Sequence, residues 1–541
     1  HDTVRRQRQM CIRDRFTTER QKRILDGFVR VFDAYQMDPT TVALRSDCVP
    51  LERALTDQRK ALTLSVDGAA KSAPQLRTLL RTSADENMRE RAWKELRKVG
   101  PCIADGLCAL VKRRNAMARA LGFDDFYDYK VSKTEGFGKK KLFEMLDALR
   151  DGTSALNDKA RASLNESERQ PWNISRATSG DETALDAYFP FGKALEAWGR
   201  SFARMGIRYR GSTMTLDLLE RPNKYSNGFC HWPRCAYVRR DHSLRPSCTN
   251  FTSLCDPLQT GSGRIALKTL MHEAGHAAHF ANVAQESPLF AQERAPTSIA
   301  YAETQAMFLD SLVSDASWRA RYALNNKGER LPFALHENDL RSRHPYQVFQ
   351  LRALLAVPYF EKALYEHSDL TPSTIIELAD RVEHDIVGGL AARPLLSVPH
   401  ILRDESSCYY HGYVMAEMAV QQTRRHFGSS IVDNPAVGEA LTQAYWRPGN
   451  TANFMDLVEK LTHEPLSGNA WTQALNRDID SLIESERRAY DDAIVTRDDV
   501  DLDMRIRIVD GDNVIADSDE CGSFLATCRR FEAYLEKRYG D

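Results

Sequence analysis

Apolar residues recur every three or four positions through most of the chain between Phe16 and Leu149. The stretch ENMRERAWKELRKVGPCIADGLCALVKRRNAMARALGF carries the pattern, and Leu142, Leu146 and Leu149 continue it. One apolar face per turn predicts a bundle of amphipathic helices, broken at Gly100-Pro101. Residues 163–185 are polar with Pro and Gly, which predicts a long connection. Alternating and β-rich segments follow in RYRGSTMTLDLLER, NGFCHWPRCAYVRRD and PSCTNFTSLCD. Helical spacing resumes at Gly263 and runs to about Asp492. The tail differs again: DMRIRIVDGDNVIADS predicts two strands around a turn, and Phe524 to Tyr539 a helix. The expected fold is therefore mainly α, with a small β-sheet just before the segment that begins at Gly263.

Composition narrows the function classes. Hydrophobic residues make up 42% and charged residues 28% of 541 residues, an ordinary globular balance. Lys+Arg 74 against Asp+Glu 75 gives a net charge of −1, which argues against a nucleic-acid binder. No apolar run reaches the length of a membrane span. Eleven cysteines are scattered without a C-x-x-C pair, which predicts reduced thiols and a cytoplasmic location. Residues 1–15 begin without Met, lack an apolar core and amphipathic spacing, and read as a non-native or ragged segment. Sequons at Asn165, Asn173 and Asn250 read as chance. The acidic run DDVDLD lacks the glycine and closing glutamate of a calcium loop.

The chemistry concentrates in TLMHEAGHAAHFAN, Thr269 to Asn282. On a helix, His272 and His276 lie one turn apart on one face, so both imidazoles can reach a single metal ion. Glu273 flanks that face, where a carboxylate can take a proton from a water. In a chain this long, an HExxH arises by chance with a probability of about a few per cent. His279 and Asn282 stand where a metzincin would need Gly and His, which excludes that subclass. A second helix, TSIAYAETQAMFLDSLV, offers a third ligand, with Thr297 or Ser298 as its N-cap. Glu286 and Glu293 lie too near the turn; Glu303, mid-helix, is the expected ligand. Two His and one Glu leave an open position, the arrangement of a catalytic zinc site with one Zn2+ per chain. His279 is expected to pack or support the site, and Asp310 is a candidate orienting carboxylate.

MHEAGHAAH, YAETQAMFLD and VPHILRDESSCYYHGYVMAEM together resemble the thimet oligopeptidase and oligoendopeptidase F family of zinc metallopeptidases. NKYSNGFCHW and RNAMARALGFDDFYDYKV are similar to other parts of that family, so the likeness spans roughly Leu51 to Asp492. It implies a two-lobed helical body with a deep channel that admits peptides. It also implies that His272, His276 and Glu303 bind zinc and that Glu273 is the general base. His400 with Tyr410 or Tyr413 would stabilise the oxyanion, although the segment holds one extra residue around His411. The expected organisation is a helical lobe over 16–180, a catalytic lobe over 181–495 and a hairpin-plus-helix extension over 496–541. The segment from Tyr225 to Ser253 is expected to offer an edge strand to the peptide backbone.

Three functions compete on these residues. A zinc oligopeptidase cutting within short peptides leads. A helical zinc carboxypeptidase or dipeptidyl carboxypeptidase shares the same centre. A non-catalytic peptide-binding protein on the same fold has no reason to keep His272, Glu273, His276 and Glu303 together. Peptides are the expected partners in each case, without nucleic acid or membrane, and the sequence leaves the oligomeric state open.

Overall fold

The computed structural model describes residues 18–540 apart from 36, 181, 222–223, 225–227, 291–297 and 496–497. Residues 1–15, Tyr225 and Glu293 therefore lie outside the described residues. Helices dominate, with a small mixed sheet. The helices that position the site are α1 (Pro39–Ala61), α2 (Ala73–Thr82), α3 (Glu86–Arg97), α4 (Val99–Ala120), α5 (Phe126–Thr134), α6 (Ser262–Asn282), α7 (Ile299–Ser311), α8 (Gln347–Glu366), α9 (Tyr410–Phe427) and α10 (Phe524–Tyr539). No helix among the described residues is long and apolar enough to cross a membrane.

Local chemistry explains where these helices begin. Asp38, Ser72 and Asp85 cap α1, α2 and α3 by accepting from backbone N–H groups of the first turn. The break expected at Gly100-Pro101 falls earlier, between Arg97 and Val99. Pro101 sits in the first turn of α4, where a missing N–H costs nothing because that turn has no carbonyl to bond. The 163–185 connection contains short helical turns at Ile174–Ala177 and Glu182–Asp186. Asn173 anchors it from the core side, donating to Glu86 at 2.7 Å and accepting from Arg89 Nη2 at 2.7 Å.

The sheet contains β1 (Ser212–Leu219), β2 (Cys230–Arg234), β3 (Cys248–Cys255), β4 (Met504–Asp510) and β5 (Asn513–Asp517). Their spatial order is β2-β3-β1-β4-β5. Central β1 pairs in parallel with β3, Met214 opposite Thr249, and with β4, Met214 opposite Ile506. The β4–β5 hairpin predicted from the tail thus extends the same sheet. β2 is an edge strand and carries Pro233, a residue tolerated where one side of the strand needs no ladder partner. The chain leaves β3 through a turn closed by Gly261, whose φ is +80°, and enters α6 directly. Ser253 donates to Ala266 O at 2.8 Å and Tyr209 to Ala274 O at 3.1 Å, tying the sheet to α6.

One hydrophobic core runs from Cys48 and Leu55 of α1 to Phe531 and Leu535 of α10. Within it α7 lies against both α6 and α9 at very short range. A Cβ added at Gly275 would lie 2.9 Å from the Ala306 Cα, and one added at Gly412 would lie 2.3 Å from Ile299 Cγ2. Only glycine lets the helices meet this closely. Tertiary packing therefore fixes the depth at which α7 presents Glu303.

Candidate metal centre

His272 and His276 stand on α6 with ring centroids 5.0 Å apart. Glu303 of α7 faces both: its Oε2 is 3.4 Å from His272 Nε2 and 3.9 Å from His276 Nε2. One donor atom from each residue falls within 4.8 Å of the other two, and among the described residues no other such group of three exists. Glu303 Oε2 is buried and receives no aligned hydrogen bond. A buried carboxylate oxygen turned toward two imidazoles fits a cation held among the three. Glu286 lies beyond the end of α6 and outside this group.

Neighbours hold the three in place. Asp310, two turns along α7, accepts from His272 Nδ1 at 2.9 Å, which leaves Nε2 facing Glu303. Tyr409 donates to Glu303 Oε1 at 3.1 Å. His279 is fully buried, its Nε2 3.1 Å from the Tyr301 hydroxyl, and it takes no part in the group. Burial opposes charge on His272, yet the Asp310 and Glu303 carboxylates outweigh it and hold that imidazole well above its usual range. Burial takes His276 down to about 4. For Glu303 burial pushes upward, but the two imidazoles and the Tyr409 hydroxyl prevail and keep it ionised.

Glu273 is 5% exposed and lies beside this group; burial, the dominant cause, pushes its carboxyl up to about 7. The lead-in to edge strand β2 passes over it, since a Cβ on Gly228 would sit 3.0 Å from Glu273 Oε1. Phe229 donates its N–H to Thr252 Oγ1 at 3.2 Å and accepts from Thr252 N at 3.0 Å, continuing the β2–β3 pairing toward Glu273.

The aromatic side is built from α9 and the segment before it. The buried Glu361 of α8 accepts from Cys408 N at 2.8 Å and fixes the start of α9. Arg114, also buried, donates to Ile401 O at 3.0 Å and so holds the turn bearing His400. His400 lies 5.0 Å from Tyr410 and 6.5 Å from Tyr413 between ring centroids. Burial, reinforced by Arg393, takes His400 down to about 4 and keeps it neutral. Tyr413 is held well above the usual phenol range by burial, with the Glu303 and Glu273 charges adding to it. The Tyr413 ring packs 5.3 Å from that of Tyr409, which bonds Glu303, whereas the Tyr410 hydroxyl accepts from Arg393 at 3.3 Å. His411 turns away into the core, 3.3 Å from Tyr127 and 3.3 Å from Glu135.

Sequence reasoning did not single out Tyr409. Its position four before Tyr413, hence on the same helical face, was the available signal.

The fold is that of known peptidases. A solved PZ peptidase A with an inhibitor shares 15% identity, with a TM-score of 0.58 over 86% of this chain and 80% of its own. A structure described as an oligoendopeptidase F from Bacillus anthracis has 14% identity and a TM-score of 0.57, covering 87% of this chain and 79% of its own. The M32 carboxypeptidase from Deinococcus radiodurans follows at 13% identity and a TM-score of 0.52, covering 88% of this chain and 85% of its own. No curated protein sequence matches the chain. Fold and donor set together define a helical metallopeptidase. The chain belongs to peptidase family M3, whose model matches residues 79–477.

Proposed function

We propose that the protein is a zinc-dependent oligopeptidase that hydrolyses bonds within short, unfolded peptides. The observation that carries this reading is the convergence of His272, His276 and Glu303 donor atoms beside the buried Glu273. His272, His276 and Glu303 would hold the zinc, which when bound would supply Lewis acidity toward a water and the scissile carbonyl. Glu273 takes the proton of the attacking water and passes it to the leaving amine. A carboxyl that burial has made more basic suits both steps. Tyr413, with Tyr410 as the second choice, donates to the carbonyl oxygen as charge builds there. His400 lines the same side and serves the same charge.

Strand β2 lies at the edge of the sheet and its lead-in passes over Glu273, so a peptide could add to the sheet there by main-chain hydrogen bonds that tolerate sequence. By likeness to the family, a channel between two helical lobes would admit peptides and exclude folded proteins. A carboxypeptidase mode is the second reading. Neighbours of both kinds share the fold.

The test is incubation with a mixed peptide library, with and without a chelator, and identification of products by mass spectrometry. Internal cleavage that disappears with chelator and returns with zinc is expected. Intact peptides under all conditions refute the peptidase reading. Release of single residues or dipeptides from C-termini alone replaces the oligopeptidase mode with the carboxypeptidase one.

A further inference from the structure

Glu135 is a buried carboxylate that no lysine or arginine meets among the described residues; its side chain is 1% exposed. It stands at the C-terminal end of α5, its N–H bonded to Val131 O at 2.8 Å. From there it reaches the starts of two other helices. Ser298, the N-cap of α7, donates its hydroxyl to Glu135 Oε2 at 2.5 Å, and the same hydroxyl oxygen accepts from Tyr301 N at 3.3 Å. His411, in the first turn of α9, presents Nε2 to Glu135 Oε1 at 3.3 Å, and neither atom has a hydrogen-bond partner elsewhere. Tyr127, also of α5, faces the other ring nitrogen, its hydroxyl 3.3 Å from Nδ1. One helix thus brackets His411 from both sides.

The two helix starts that Glu135 joins also touch each other. A Cβ on Gly412 would meet Ile299 Cγ2 at 2.3 Å and Ala300 N at 3.3 Å, so the first turn of α9 lies on the first turn of α7. Glu303 stands in the next turn of α7, and Tyr413 follows Gly412 directly. The same pair of helices meets again where Tyr409 donates to Glu303 Oε1 at 3.1 Å. Glu135 is therefore the polar pin of the junction that sets Glu303 against the tyrosines.

Apolar contact alone would hold these ends together at less cost, because a buried carboxyl group has been stripped of water. Apolar contact is also non-directional, and leaves α7 free to slide along α9. A polar pin is directional. Oε2 meets Ser298 while Oε1 faces His411 in only one seating of the three helices, and a buried polar network of this kind specifies a single arrangement.

We propose that Glu135 is a positioning residue for the centre: through Ser298 it fixes the seat of the Glu303 helix, and through His411 that of the Tyr413 helix. The kinetic half of this proposal rests on the peptidase reading. The other half rests only on the group of His272, His276 and Glu303.

Glu135→Ala, Glu135→Gln and Ser298→Ala test it in the full-length chain, at a temperature where circular dichroism shows each variant fully folded. Glu135→Ala is expected to lower kcat about tenfold or more with KM changed less than about twofold, since a small misplacement of a reacting group slows the chemistry without removing a substrate contact. Glu135→Gln keeps the shape and can still hydrogen-bond both partners, so it should hold kcat within about threefold of the parent. In a Tyr413→Phe background the loss from Glu135→Ala should shrink below about threefold, because the group being positioned is gone. Zinc affinity, read by competition with a chromophoric chelator, should fall about threefold or more in both Glu135→Ala and Ser298→Ala. A lower thermal midpoint with unchanged kcat and zinc affinity makes Glu135 a packing residue and overturns the proposal. A kcat loss fully additive with Tyr413→Phe overturns it as well. Should Glu135→Ala not fold, Ser298→Ala carries the zinc criterion and His411→Leu the kinetic one. A parent protein that binds zinc but cleaves no peptide refutes the peptidase reading, and zinc affinity then still decides whether Glu135 seats α7.

Discussion

Asp310 and Tyr409 touch the candidate ligands His272 and Glu303 and hold them in place. Asp310→Ala frees the His272 ring, so zinc affinity should drop about 10–100-fold, as supporting carboxylates commonly show; competition with a chromophoric chelator measures it. Tyr409→Phe removes one hydrogen bond from Glu303 and should weaken zinc less than Asp310→Ala does. Glu273→Gln should retain one zinc per chain and lose nearly all turnover, because an amide cannot accept the proton. Turnover within tenfold of the parent would exclude Glu273 as the base. Tyr413→Phe should cost about 10²–10³-fold in kcat with KM little changed, the pattern of a donor that acts in the transition state. If Tyr410→Phe shows that loss instead, the oxyanion donor is Tyr410. The HExxH spacing made His272, Glu273 and His276 readable directly, since helical period alone puts the two histidines on one face with Glu273 flanking it. Tyr409 and Arg393 were not readable, because their partners lie 106 and 17 positions away along the chain.

Helices α6 and α7 meet through Gly275, and the metal group depends on that approach. Gly275→Val would drive its side chain into the Ala306 backbone, where no rotamer relieves the overlap. The expected result is a loss of about 1–3 kcal/mol in stability by denaturant titration, together with weaker zinc retention. Unchanged zinc affinity would show that Glu303 reaches its position independently of this crossing. The periodicity predicted both helices, and Ser298 caps α7 as one of the two expected residues, accepting from Tyr301 N at 3.3 Å. The expected break at Gly100-Pro101 shifted because a proline in a first turn does not end a helix. Strand content was visible in the sequence, but strand order was not, since nothing local says that the tail hairpin pairs with β1.

The C-terminal hairpin and α10 lie beyond the region matched by the family model, yet they are built into the main body. Ile506, Ile508, Ile515, Phe531 and Leu535 are all buried there. At ~1.5–3 kcal/mol per buried side chain they contribute on the order of 10 kcal/mol, as much as the whole net stability of an ordinary domain. Removing residues 504–540 should also leave one edge of β1 unpaired, six residues from Ser212 to Asp217. The truncated protein should therefore aggregate or lose its cooperative thermal transition, read by calorimetry and size-exclusion chromatography. A soluble, zinc-binding truncation would show that the extension is dispensable.

Periodicity, capping residues and the spacing of His272, Glu273 and His276 are local properties, and they settled the helical class, the order of elements and the first two candidate ligands. These follow from the sequence because helix geometry converts fixed spacing into a shared face. The candidacy of Glu303 over its neighbours followed from its place in the second helix. Its distance from the imidazoles was decided by glycine-mediated packing of α6, α7 and α9. Tertiary structure alone set which tyrosine touches Glu303, sent His411 into the core, and brought Arg393 to the Tyr410 hydroxyl. Those arrangements depend on side-chain volumes meeting across the whole core, and no local pattern carries that information.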